Sequence, residues 1–157
     1  MKNEGHLSNP DSALRTERML SGSPREIFQA FELPDRLARW WGPAGFTNTF
    51  EVFEFKPGGR WVHVMHAPNG ANYPNENVFL EIMPDTRIVI DHVVAPLFRL
   101  TFTLTPQVAG TRLIWVQEFE SAEMASKLRA VCEPSNEENL DRLEAVLAKS
   151  IGSFCRG

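Results

Sequence analysis

Alternation of apolar and polar residues marks the second half of the chain. Leu100, Phe102 and Leu104 share one side of a strand and Arg99, Thr101 and Thr103 the other, because successive side chains of an extended backbone point to opposite faces. In the next run Leu113, Trp115, Gln117 and Phe119 oppose Arg112, Ile114, Val116 and Glu118. Strand-like runs over 13–20, 49–55, 60–66, 77–83, 87–94, 98–105 and 111–119 predict about seven strands. Pro57-Gly58-Gly59, Pro68-Asn69-Gly70, Pro84-Asp85, Ala95-Pro96 and Ala109-Gly110 separate them. These are turn residues for a backbone reason, since proline fixes φ and glycine or asparagine tolerates positive φ.

Helical spacing appears in three places. Ser23 is placed to cap a short helix opened by Pro24, with Ile27, Phe28 and Phe31 on its apolar side. Pro34 opens a second, carrying Leu37, Trp40 and Trp41, which Gly42-Pro43 stops. After Phe119 a short piece over 122–131 is expected to precede a long helix. Ser135-Asn136-Glu137-Glu138 has the form of a capping box for it, Leu140, Leu143, Leu147 and Ile151 make its stripe, and Gly152 is placed to end it. An antiparallel sheet with one aromatic face must cover that face, and the long terminal helix is the element available, so the sheet curls around it. The fold class is α+β. Residues 1–11 read as a flexible tail, 12–152 as one domain and 153–157 as a second tail.

Composition narrows the partners. The 157 residues carry a net charge of −4, which repels phosphate backbones and anionic lipid, so no nucleic-acid partner is expected. No run approaches the ~20 apolar residues of a membrane span, and Met1–His6 lacks a signal-like apolar stretch. Two cysteines, Cys132 and Cys155, without close spacing, favour a reducing cytoplasm over a disulfide framework.

Reactive chemistry finds little support. His63 and His66 are three apart on one strand and point to opposite faces, so they do not chelate one ion, and no metal or cofactor is expected. His66 reads as a structural hydrogen bond to the following turn. Asp91 and His92 are adjacent and diverge in the same way, so they are not a hydrolytic pair. No serine has a nucleophile-elbow setting. Glu81 sits in an otherwise apolar strand: facing inward it is a partnered or raised-pKa acid, facing outward it is solvated. Gln117, between Trp115 and Phe119 on its face, is suited to orient a bound molecule or to satisfy a backbone group. The aromatic residues by themselves fit an ordinary core as well as a lining.

Ser23-Pro24 through Phe31, Trp40-Trp41-Gly42-Pro43 with Phe46-Thr47, and Pro57-Gly58-Gly59-Arg60-Trp61 form a recognisable series. Val64-Met65-His66, Tyr73-Pro74-Asn75-Glu76, Glu81-Ile82 and Asn139-Leu140-Asp141-Arg142-Leu143 continue it. On these residues the chain resembles the activator of Hsp90 ATPase homologue-like proteins of the Bet v 1-like, START-related helix-grip superfamily, which includes polyketide cyclase-like members. The resemblance implies a seven-stranded antiparallel sheet gripping the C-terminal helix, with a hydrophobic cavity between them. It makes a small hydrophobic molecule the expected ligand; a cyclase- or hydrolase-like enzyme using His92 or Glu81 is the alternative. Stimulatory co-chaperones of that kind carry a separate N-terminal domain that residues 1–13 do not supply, so an Hsp90-type partner is not expected.

The expected cavity wall combines the resemblance with the strand faces. Phe31, Trp40, Trp41 and Phe46 come from the helical segment, and Phe53, Trp61, His63, Met65, Phe79 and Glu81 from the first strands of the meander. Ile90, His92, Leu100, Phe102, Leu104, Trp115, Gln117 and Phe119 follow from the later strands, and Leu140, Leu143 and Leu147 from the helix. Ile114 and Val116 on the outer face leave room for a homodimer.

Overall fold

The structure is a computed structural model in which residues 10–156 are described, their side chains over 11–149. A 3-10 turn at Pro10–Ser12 leads into β1 (Ala13–Leu20), α1 (Pro24–Glu32) and α2 (Pro34–Trp40). Then come β2 (Thr47–Phe53), β3 (Arg60–His66), β4 (Asn72–Met83), β5 (Arg87–His92), β6 (Phe98–Gln107), β7 (Gly110–Phe119) and α3 (Ala122–Arg156). Among the described residues the strands form one seven-stranded antiparallel sheet in the order β1-β7-β6-β5-β4-β3-β2. It is a meander from β2 to β7, with β1 returning beside the last strand, and it curves around α3. Most of the expected leading tail lies outside the described residues. No helix is long and apolar enough to cross a membrane among those residues.

The local rules hold at α1. Ser23 Oγ accepts from Glu26 N–H at 3.1 Å and Glu26 Oε1 accepts from Ser23 N–H at 2.8 Å, a complete capping box. Ile27, Phe28, Ala30 and Phe31 are buried, and Trp40 Nε1 donates to Ala30 O at 2.9 Å, which locks α2 against α1. Gly59 is required by close approach: a Cβ there would lie 1.9 Å from Glu54 O.

α3 departs from expectation. Pieces read as two helices are one, Ala122–Arg156, running through Pro134 and past Gly152. It starts at Ser121, whose Oγ accepts from Met124 N–H. No capping box exists at Ser135, because a capping box serves unsatisfied N–H groups at a helix start and there is no start there.

Two bulges shift strand faces. Pairing slips between Phe50 and Val52 on β2 and between Phe79 and Glu81 on β4, and an extra residue in a strand reverses the parity that follows. Phe50 and Phe53 consequently stack on each other at 5.5 Å. β4 also begins at Asn72, five residues earlier than the alternation suggests, with Pro74 inside it. Pro74 is tolerated because β4 pairs with β5 only from Asn77 onward, so at Pro74 the strand partner is β3 alone.

The inner face is packed solid over most of its length. Phe31 meets Trp40 and Phe102 edge-on at 5.0 and 4.9 Å, and Trp41 meets Trp61 at 5.0 Å. Leu140, Leu143 and Leu147 of α3 close the same cluster. Rings at these separations are interdigitated core, each pair worth about 0.5–1.5 kcal/mol beyond burial.

Candidate functional site

Where α3 passes over the ends of β4, β5, β6 and β7, the packing leaves a pocket of about 140 Å3. Its apolar wall is Trp41, Met65, Phe98, Leu100 and Trp115. Carboxamides and an imidazole complete it: Asn75 and Asn77 from β4, His92 from β5, Gln117 from β7, and Asn136 and Asn139 from α3. Gly42, Pro43 and Ser135 form the rest. Asn77, His92 and Phe98 are register partners on three adjacent strands, which sets them in a row across the sheet.

The electrostatics are uniform: no Asp, Glu, Lys or Arg lines the pocket. His92 stacks on Phe98 with centroids 4.3 Å apart. Its Nδ1–H donates to Pro96 O at 2.8 Å and its Nε2 stands 2.8 Å from Asn75 Oδ1. Burial holds its pKa below the ordinary 6.5 despite the backbone carbonyls nearby.

One helix face holds the loop that carries Trp41. Asn139 Oδ1 accepts from Gly42 N–H at 3.2 Å while its Nδ2 donates to Trp40 O. Glu138 Oε1, expected in a capping box, instead accepts from Ala44 N–H at 3.0 Å. Arg142 donates from Nη1 to the carbonyls of Trp41, Gly42 and Pro43 and from Nη2 to those of Arg39 and Phe46, at 2.7–3.2 Å. Gly42 itself has φ +101°, and a Cβ on it would come within 2.9 Å of Met65 Cε. The tight corner and the clamp together fix one wall of the pocket.

A family model described as "Activator of Hsp90 ATPase homolog 1-like protein" matches residues 21–148, most of the chain. The chain belongs to that family. Solved relatives share the fold of this activator-of-Hsp90-ATPase-like domain. A Nitrosomonas europaea protein is 19% identical, superposes with a TM-score of 0.84 and covers 92% of this chain and 99% of its own. One from Chromobacterium violaceum is 27% identical with a TM-score of 0.77, covering 85% and 96%. An AHSA1-like protein from Aeromonas hydrophila is 18% identical with a TM-score of 0.72, covering 88% and 93%. No curated protein matches significantly. The Bet v 1-like fold of this family is consistent with a ligand-binding domain.

In this family member, the residues expected to line a cavity divide into groups. Trp41, Met65, His92, Leu100, Trp115 and Gln117 reach the pocket. Phe31, Trp40, Trp61, Phe79, Ile90 and Phe102 are buried in the core cluster, as are Leu104, Leu140, Leu143 and Leu147, and Phe53 packs against it. Phe119 lies in a second cluster with Leu14 and Ala125. Phe46 stacks on the exposed Tyr73 at 6.3 Å.

Glu81 and His63 differ from expectation. The bulge beside Leu80 turns Glu81 to the outer face, where it pairs with Arg87 at 2.9 Å. His63 is 1% exposed and stacked on Trp61 at 4.4 Å, and neither ring nitrogen has a hydrogen-bond partner. Burial first, and the charge of His92 second, push its pKa down to about 3, so it packs as a neutral ring. His66 ties β2 to β4, meeting Thr49 Oγ1 at 2.7 Å and Asn72 Oδ1 at 2.6 Å.

Asn75, Asn77, Asn136, Asn139, Ser135 and Phe98 were not expected at a site. A signal existed for some: Asn77 shares the parity of Phe79, and Asn136 and Asn139 share the helical face of Leu140 and Leu143. Among the described residues no group of three His, Cys, Asp or Glu is placed to hold a metal ion.

Proposed function

We propose that this protein binds a small, mainly hydrophobic molecule in the pocket between the sheet and α3. The observation that carries the reading is the pocket itself: a concave site with an aromatic wall and convergent polar groups, beside a sheet face whose Trp61, Phe79 and Phe102 belong to the packed core. At about 140 Å3 it suits a compact guest rather than a drug-sized one, which needs roughly 300 Å3 or more. Binding, rather than turnover, fits the side chains present. Glu81 lies on the other face of the sheet, and the Nδ1–H of His92 is committed to Pro96 O. A reducing compartment such as the cytoplasm suits a binder whose two cysteines, Cys132 and Cys155, lack close spacing.

Ser135 is half-buried at the pocket wall and outside the core cluster, so a Ser135→Trp variant fills the space without disturbing the fold. A screen of small hydrophobic and aromatic compounds should raise the melting temperature of the native protein, by about 2.7 kcal/mol of added stability at a hundred times Kd, and not that of the variant. A screen in which no compound acts, or one in which the variant responds equally, refutes the reading.

A further inference from the structure

The carboxamides around the pocket are not equivalent. Asn139 has both ends occupied, by Gly42 N–H and Trp40 O, while Asn75 is held by Tyr73 O through its Nδ2 and has its Oδ1 covered by the His92 ring 2.8 Å away. Asn77 is held by one end only: its Nδ2 donates to Trp61 O at 3.1 Å, which fixes the amide and leaves Oδ1 as a free acceptor. Gln117 and Asn136 hold each other through a single bond, Asn136 Nδ2 to Gln117 Oε1 at 3.2 Å. That bond leaves Gln117 Nε2 as a donor and Asn136 Oδ1 as an acceptor, and exchanging O and N in both amides still leaves one of each. Asn77, Gln117 and Asn136 are only 5%, 5% and 7% exposed. Buried amides fixed by one hand with the other hand open to a pocket are preorganised polar contacts, and leaving them unmet carries a desolvation cost.

We infer that the pocket selects an uncharged, compact, flat molecule carrying both a hydrogen-bond acceptor and a donor, an aromatic primary amide being the simplest complement. This rests on the binding reading above and narrows it. A carbonyl on the guest accepts from Gln117 Nε2, and its N–H donates to Asn77 Oδ1. Its ring lies against the Trp41–Trp115 wall, whose own rings stack at 6.1 Å. With no ionic residue among the lining, a carboxylate or amidinium loses its hydration without a counter-charge, and a hydrocarbon leaves the buried amides unpaired.

Four compounds of one shape separate these cases: benzamide, benzoate, benzamidinium and toluene, titrated calorimetrically into the native protein at pH 7. The expected result is benzamide binding at least about tenfold more tightly than each of the others. A Gln117→Leu variant should bring benzamide down to the level of toluene while toluene itself binds unchanged. Benzoate, benzamidinium or toluene matching benzamide overturns the inference and leaves the pocket a binding site. No binding by any of the four also overturns it, and if the broader screen is silent as well, the binding reading falls with it.

Discussion

His63 is a polar residue used as an apolar one. Its ring is sandwiched against Trp61 and meets Phe50 at 5.5 Å, and with no partner for either nitrogen the fold accepts only the neutral form. The unfolded chain takes up that proton near 6.5 and the folded one only near about 3. Between those values the unfolded state binds more protons, so this contribution to stability is complete above the unfolded pKa and is lost as pH falls toward the folded one. Its slope is at most about 1.4 kcal/mol per pH unit. Denaturant unfolding of the native protein should therefore show stability declining from pH 6.5 to 5, where carboxylates are still largely ionised, with His92 adding in the same direction. A His63→Phe variant should decline less steeply over that range. Parallel pH profiles for the two proteins would mean that His63 is not buried as described.

At the scale of elements, α3 both closes the core and holds a loop. Arg142 meets five backbone carbonyls, of which Trp41 O and Pro43 O also accept from Asn48 Nδ2 and Phe46 N–H, so Arg142→Ala should destabilise by about 1–3 kcal/mol. Arg142→Lys should recover only part, because an ammonium cannot reproduce a planar fork of donors. Urea midpoints for the two variants check this; equal midpoints would show that the fork geometry is irrelevant. Pro134 is exposed, inside the helix, and removes one backbone donor. Pro134→Ala should raise the thermal midpoint by the equivalent of about 1 kcal/mol or more, and an unchanged or lowered midpoint would show that Pro134 does not cost the helix stability. These same elements mark what could be read from the sequence. Alternation along β6 and β7 and the capping box of α1 are local signals, and they gave the right elements. The bulges at β2 and β4 are not local: one extra residue reverses parity, which is why alternation left the face of Glu81 open while the structure sets it outward. The capping-box form of Ser135-Asn136-Glu137-Glu138 made one helix look like two. Glu138 looked like a cap because its real partner, Ala44, is 94 residues away.

For the whole molecule, the aromatic wall expected to enclose a large hollow is mostly the core itself. Trp40, Trp61, Phe79 and Phe102 are essentially fully buried against one another and against α3. The aromatic count predicted burial correctly but could not say which rings would face a space, since that depends on which parts of α3 carry leucine and which carry asparagine. Leu140, Leu143 and Leu147 seal the far part of the grip, while Asn136 and Asn139 stand over the pocket. The sheet and helix thus form a rigid frame with a small amide-edged opening at one end. The chemistry of that opening is set by residues that read, one by one, as ordinary strand and helix polar positions.

The most direct test of this account is a nitrogen-15 NMR titration of the uniformly labelled protein with benzamide. The side-chain signals of Trp41, Trp115, Asn77, Gln117 and Asn136 should shift together along one saturating curve, while those of Trp40 and Trp61 in the sealed core stay near their starting positions. Absence of saturating shifts, or shifts confined to residues away from the α3–sheet pocket, would contradict it.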